Sequence, residues 1–397
     1  MDFTTASASD THPSPDTASL RGWRRVLVRG QMVASILRLG LRAYGDPLRA
    51  YRAMRAVREL GRRYLPLPPR LVRHRGRVFG RQAGAGYPSR AFDRGIEVEL
   101  NRALPFRAGV DLPMALVAIT RHCALHCQHC SEWDTLNQPE VLSVDQLREV
   151  VAALQAHGVA HIELTGGEPL LRLDALEAIV RGASADSDFW VLTSGAQMTE
   201  RCARRMADAG VTGVMVSLDH WDPARHDAFR GVAGTWERAV RALTLARDAG
   251  LLTGISVTVT RETATLTDLL ALTEIARARG ASYVRVLEPQ ASGRWADADV
   301  QLGPTHRAAL AALADAANAR WPDDAPIIED VDALRRAAGC QGAGERFLFV
   351  DAAGDVHACP FCHGVAGTCL GGGLDAALAR LRERGCRVDD AEALVQL

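Results

Sequence analysis

No lysine occurs among these 397 residues; all 47 basic side chains are arginine. That absence excludes a lysine Schiff base or a lysine general base, and the heavy alanine usage beside it fits base-composition bias. No run approaches twenty consecutive apolar residues, which excludes a conventional membrane-spanning helix. Residues 1–19 lack a basic start followed by an apolar run, so they are not a secretory signal. Rich in Ser, Thr, Asp and Pro, they read as a disordered leader on a cytoplasmic chain. Net charge is missing too, with 47 acids against 47 bases. The balance conceals a split: between residues 20 and 78 stand 16 arginines against only Asp46 and Glu59, and the remainder is acidic by the same margin. The first hundred residues therefore form a piece with its own partner preference.

What is present fits a soluble globular chain with a sizeable core, at 48% hydrophobic and 24% charged residues. The length implies a main domain with attachments, which we place at 20–110, 111–330 and 331–397. From residue 114 to 289, short β-branched apolar runs (114–120, 161–165, 189–193, 211–218, 254–260 and 283–287) alternate with helical patterns (144–157, 173–181, 200–209, 235–249 and 266–279). Ser143 and Gln146 supply a capping box for the first of these helices. Six strands alternating with helices predict an α/β fold, a partial (β/α)6 TIM-like barrel, whose site lies beyond the C-terminal strand ends.

Nine cysteines, an odd number without a signal peptide, argue for metal binding rather than disulfides. Cys123, Cys127 and Cys130 fall within eight residues just after the first barrel strand. Three thiolates on one loop can bind three irons of a cubane cluster and leave the fourth open. A zinc site with His122, His126 or His129 as fourth ligand is the alternative. The second strand ends in Gly166-Gly167-Glu168-Pro169, where paired glycines let backbone carbonyls approach an ammonium group and Glu168 adds complementary charge.

Together these motifs resemble the radical S-adenosylmethionine (SAM) superfamily. The resemblance spans about residues 114–375. It implies that Cys123, Cys127 and Cys130 hold a 4Fe–4S cluster whose open iron chelates SAM, and that Gly166, Gly167, Glu168 and Pro169 bind its methionine part. Thr193-Ser194-Gly195 resembles the family's Thr-Asn-Gly turn, with Ser194 in place of Asn. By the same resemblance Ser217 and Arg230 contact the SAM carboxylate, Ser194 or Asp219 lines the ribose, and His129 replaces the aromatic residue that packs on adenine, with Trp133 as a substitute. Cys340-x18-Cys359-x2-Cys362-x6-Cys369 resembles a twitch or SPASM-like auxiliary domain. It implies one auxiliary 4Fe–4S cluster, zinc being the alternative, with either Cys369 or Cys386 as fourth ligand. Cys202 reads as an apolar filler. Glu288, at the end of the sixth strand, is a candidate substrate contact or a structural carboxylate.

Outside the resemblance, helical patterns at 26–43 and 48–64 carry arginines at i, i+3 and i+4 spacing. They read as a layer docked on the acidic body, as helices seated on anionic membrane, or as a dock for an acidic peptide. No nucleic-acid module accompanies them. The expected activity is reductive SAM cleavage followed by hydrogen-atom abstraction, driven by a flavodoxin- or ferredoxin-type reductant. The substrate is a ribosomally made peptide undergoing maturation, or alternatively a small molecule or lipid. A non-catalytic metal-binding scaffold is the third reading.

Overall fold

The computed structural model describes residues 17–64, 70–320 and 325–385. Seven parallel strands run in sequence order through the centre: β4 (Met114–Ala118), β5 (His161–Thr165), β6 (Asp188–Thr193), β7 (Gly213–Ser217), β8 (Leu252–Thr258), β9 (Tyr283–Leu287) and β10 (Ile327–Asp330). They follow β1 (Thr17–Leu20), β2 (Leu71–His74) and β3 (Arg77–Phe79), which form a separate antiparallel sheet. Between the central strands lie α4 (Val144–Ala156), α5 (Leu173–Gly182), α6 (Glu200–Ala209), α7 (Pro223–Arg230), α8 (Thr235–Asp248), α9 (Leu266–Ala278) and α10 (Pro304–Arg320). Before them come α1 (Gly22–Tyr44), α2 (Pro47–Tyr64) and α3 (Arg90–Ala103). The Ser143–Gln146 capping box is formed in full. The sheet stays open, as expected of a partial barrel, but the run from β4 to β10 has one more strand than the six expected.

The C-terminal segment departs further from expectation. Instead of standing beside the barrel, β11 (Phe347–Val350) pairs parallel with β4, matching Phe347 to Met114 and Val350 to Val117. The short strands β12 (Asp355–His357) and β13 (Gly367–Thr368) then extend the sheet antiparallel. Physically, an open parallel sheet leaves the β4 edge with unpaired N–H and C=O groups, and β11 satisfies them. Around these strands, α11 (Val331–Ala338) and α12 (Leu374–Arg384) complete the fold.

The N-terminal piece closes the opposite end. Leader residues 1–16 lie outside the described residues, and Thr17–Leu20 is a strand paired with β2 rather than disordered leader. Phe79 inserts, fully buried, among Trp190, Met215, Leu252, Tyr283 and Ile327, all near the N-terminal strand ends. Beside it, Arg77 pairs with Asp188 at 2.5 Å. The Gln82 side-chain amide donates to Glu163 at 2.9 Å, and its backbone N–H donates to Glu329 at 2.8 Å. Arg285 pairs with the same Glu163 inside the sheet. Buried charge persists only when paired and hydrogen-bonded, so this network ties the segment to the barrel floor. Phe79→Ala should therefore cost about 3–5 kcal/mol of stability, read as a shifted urea midpoint for the full chain.

Candidate active site

All three cysteines of the first group sit half-buried on the loop after β4. That loop is held from below and from both sides. His126 N–H donates to the Arg230 carbonyl at 3.1 Å and Gln128 N–H to the Phe229 carbonyl at 3.0 Å, docking it on the end of α7. The Asn137 side chain brackets Cys123, accepting from its N–H and donating to its C=O, each at 3.0 Å. Burial pushes the Cys123 thiol up to about 11 and Cys130 up to about 12, and the Cys127 sulfur adds to both rises. Backbone N–H groups of Leu125 and Glu132 work against that rise. Among the described residues, no three Cys, His, Asp or Glu side chains crowd together as one metal ion requires. Thiolates that bind different irons of a cluster need no such crowding. The loop histidines turn elsewhere: His122 lies 3.8 Å from Glu140, His126 is exposed, and His129 stacks on Phe229 at 4.7 Å.

The Gly166-Gly167 turn lies directly against this loop. Gly167 N–H donates to the Thr120 carbonyl at 2.9 Å and Glu168 N–H to the His122 carbonyl at 2.7 Å. A Cβ on Gly167 would stand 2.3 Å from the His122 oxygen, so no side chain fits there. Gly166 has φ of +132°, a conformation that L side chains rarely adopt. Pro169 then opens a short 3₁₀ turn and is buried.

Glu168 departs from the expected role. Its buried carboxylate accepts from Thr193 Oγ1 at 2.6 Å, from Ser194 N–H at 2.9 Å, from the Ser194 hydroxyl and from Leu170 N–H at 3.2 Å. Both oxygens are thus engaged within the chain, and Glu168 staples the β5 turn to the β6 turn. Ser194 serves that staple.

Asp219 and Arg230 form the charged centre. Arg230 donates to Asp219 Oδ2 at 2.6 Å, and its other terminal nitrogen stands 3.7 Å from Cys127 Sγ. Burial opposes the Arg230 charge, but Asp219 and Cys127 more than offset it and raise its pKa. Asp219 Oδ1 accepts from Thr258 N–H at 3.0 Å. His226 Nδ1 accepts from Asp219 N–H at 3.2 Å, and burial lowers this imidazole to about 4, so it stays neutral. Burial likewise lowers His129 to about 4. The His129 Nδ1 atom is buried without a partner, beside Phe229 and Trp295. Ser217 closes β7 at the same rim, half-buried. Trp133 is largely exposed, under the Arg294 guanidinium.

A shallow cleft opens here, lined among others by Thr120, Arg121, Glu132, Gly166, Gly167 and Asp351. Glu132 and Asp351 were not singled out from the sequence. Their signal was faint: an acid two residues past Cys130 and another closing the strand before Gly354. Burial, then Asp351, pushes Glu132 up to about 7.

Other expected residues lie elsewhere. Glu288 is buried between Arg307, at 3.2 Å, and Arg336, which gives it a structural ion cluster rather than an open substrate face. Cys359 and Cys362 touch at 3.4 Å between sulfurs, and Gly342 N–H points at Cys340 Sγ at 3.4 Å. Cys369 is instead buried in the main core beside α4, its thiol 3.9 Å from the Val150 carbonyl and pushed up to about 12 by burial and then Glu149. Cys202 packs partly buried against the core. Cys386 lies outside the described residues.

The radical SAM superfamily profile matches residues 117–272. Mycofactocin maturase MftC of Mycobacterium ulcerans is 31% identical over 64% of this chain and 70% of its own length. The chain belongs to the radical SAM superfamily. The same maturase from Mycolicibacterium smegmatis is 31% identical over 64% of this chain, a match spanning 66% of that relative. Among solved structures, Streptococcus suis SuiB bound to S-adenosylmethionine shares the fold at a TM-score of 0.55 with 14% identity, over 66% of this chain and 65% of SuiB. SuiB has also been solved with the precursor peptide SuiA. A radical SAM member uses a 4Fe–4S cluster and SAM, and the site fits both: thiols on one clamped loop, a glycine turn lining the cleft beside it, and a buried nitrogen on His129 without a partner. If the Glu168 staple is structural as drawn, Glu168→Gln should cost about 1–3 kcal/mol, because its amide would face donors. Thermal denaturation of the purified chain measures this, and an unchanged midpoint would remove the staple.

Proposed function

We propose that this radical SAM chain matures a peptide by abstracting a hydrogen atom from it. The observation that carries this reading is the clamped Cys123, Cys127 and Cys130 loop packed on the Gly166-Gly167 turn. Its support for peptide chemistry comes from the relatives: maturases by name, and a structural neighbour solved with a precursor peptide. When bound, a 4Fe–4S cluster supplies the one-electron cleavage of SAM that hydrogen abstraction needs. The rest is the work of this chain. The three cysteines would hold the cluster as thiolates. Backbone of Gly166 and Gly167, which lines the cleft, would meet the ammonium of SAM. Arg230 keeps positive charge beside Cys127, against the negative charge of bound thiolates. The stacked rings of His129 and Phe229 give the site an aromatic wall. Arg121, Glu132 and Asp351 would offer polar contacts to a substrate entering the cleft. A flavodoxin- or ferredoxin-type protein would supply the electron. One auxiliary cluster at Cys340, Cys359 and Cys362 completes the proposal.

Anaerobic reconstitution followed by SAM and dithionite tests it. The wild-type chain should release 5′-deoxyadenosine, and Cys127→Ala should release no more than the iron-free chain does. No product from iron-loaded wild-type protein would favour a scaffold instead.

A second proposal concerns α1. Trp23, Val26, Leu27, Val33, Leu37 and Leu41 recur at helical spacing and are exposed, Trp23 at 71% and Val26 at 68%. Exposed arginines such as Arg24 and Arg42 flank them. An apolar stripe edged by cations suits an anionic bilayer surface. The charge excess of this segment disfavours self-association through the same face. The full chain should therefore float with anionic vesicles at low salt, and Trp23→Ser with Val26→Ser should abolish this. No flotation ends the membrane proposal, and a dimer lost in the same variant would replace it.

A further inference from the structure

One short turn touches both groups of cysteines. It follows β9 and consists of Ser292 and the 3₁₀ turn Gly293–Trp295. On one side it presses on the Cys123–Cys130 loop. Arg294 N–H donates to the Cys130 carbonyl at 3.1 Å. A Cβ on Gly293 would lie 2.2 Å from that oxygen and 2.5 Å from Ser131 Cα, so here backbone packs on backbone. Trp295 stands 5.9 Å from the His129 ring, and the Arg294 guanidinium covers Trp133 at 5.6 Å. The turn therefore meets residues 129 to 133 along their length.

On its other side, the buried Ser292 hydroxyl donates to the Phe361 carbonyl at 3.0 Å and meets His363 Nε2 at 3.0 Å. A hydroxyl has one hydrogen to give, so His363 donates and Ser292 accepts in the second bond. Phe361 and His363 are the two neighbours of Cys362. Residues 363–365 are exposed, so little apolar packing holds this stretch and its few hydrogen bonds weigh more.

We infer that Ser292–Trp295 is a strut that fixes the Cys359–Cys362 loop against the Cys123–Cys130 loop, so that a change at one cysteine site is felt at the other. Backbone atoms in van der Waals contact cannot relax as side chains do, which makes the turn a stiff link. Coupling through it is reciprocal: whatever loads one loop alters the other by the same free energy. The radical SAM reading supplies what the two sites hold; the strut itself is a statement about the chain.

Hydrogen exchange on the full chain as purified tests the strut without any cluster. Ser292→Ala should speed amide exchange about threefold to tenfold at residues 359–365, the effect of one hydrogen bond, and also at residues 126–133, which Ser292 does not touch. Ser292→Thr, which keeps the hydroxyl, should restore both. Acceleration confined to 359–365, or none, overturns the inference. After anaerobic iron and sulfide loading, Ser292→Ala and Cys359→Ala should each change the reduced spectrum of the Cys123 site, and an identical spectrum in both also overturns it. A wild-type chain that binds no iron would sink the radical SAM reading instead, and the exchange result would still decide the strut.

Discussion

Two backbone hydrogen bonds hold the working end of this chain together: Gly167 N–H to Thr120 and Glu168 N–H to His122. They join the loop after β4 to the turn after β5, and so place three thiols beside a glycine backbone. Adjacent parallel strands make this possible. In register, Ala118 lies opposite Thr165, so the loops leave the sheet at one level and their polar groups must be satisfied by each other. The Glu168 staple continues the same logic to the third strand through Thr193 and Ser194. A carboxylate that looks free for a ligand in the sequence is thereby occupied in the fold.

Much of this was legible in the residues. The six central strands and their helices follow the β-branched runs and the glycine stops closely, because each of those segments carries its own pattern. The site chemistry was legible for the same reason, being concentrated in two short motifs at strand ends. Other features left no local trace. The strand Ile327–Asp330 is four residues long, with Glu329 and Asp330 in it, and carries too little apolar alternation to stand out. The pairing of Phe347–Val350 with Met114–Ala118 spans more than two hundred residues, and only an unpaired edge in three dimensions calls for it. Asp351 and Glu132 become neighbours through that pairing, so neither could be read as lining a cleft.

The charge split of the sequence resolves into two kinds of arginine. Some, such as Arg77, which pairs with Asp188, are consumed at the barrel floor. With Gln82 on Glu163 and Glu329, that pair holds the antiparallel strands and the following loop against the barrel floor. The arginines of α1 and α2 are mostly exposed, and surface pairs of that type add little stability. Such charge is available for a partner, whereas the floor arginines are not. The apolar stripe on α1 runs beside that available charge, so docking and display are divided between successive elements of one segment.

The cysteine loop is positioned mainly by backbone. Gly167 reaches the His122 carbonyl where a methyl group would collide, and Gly293 does the same at Cys130. These contacts arrive from different strand ends and meet the loop near its two extremes. Side chains around the loop can then vary without moving the sulfurs. His129, for example, stacks on Phe229 instead of setting the loop's path. Replacing a ring changes the wall of the site; adding a methyl group at Gly167 or Gly293 would move the cysteines themselves. The precision of the cysteine loop therefore lies in glycine contacts that carry no chemistry of their own.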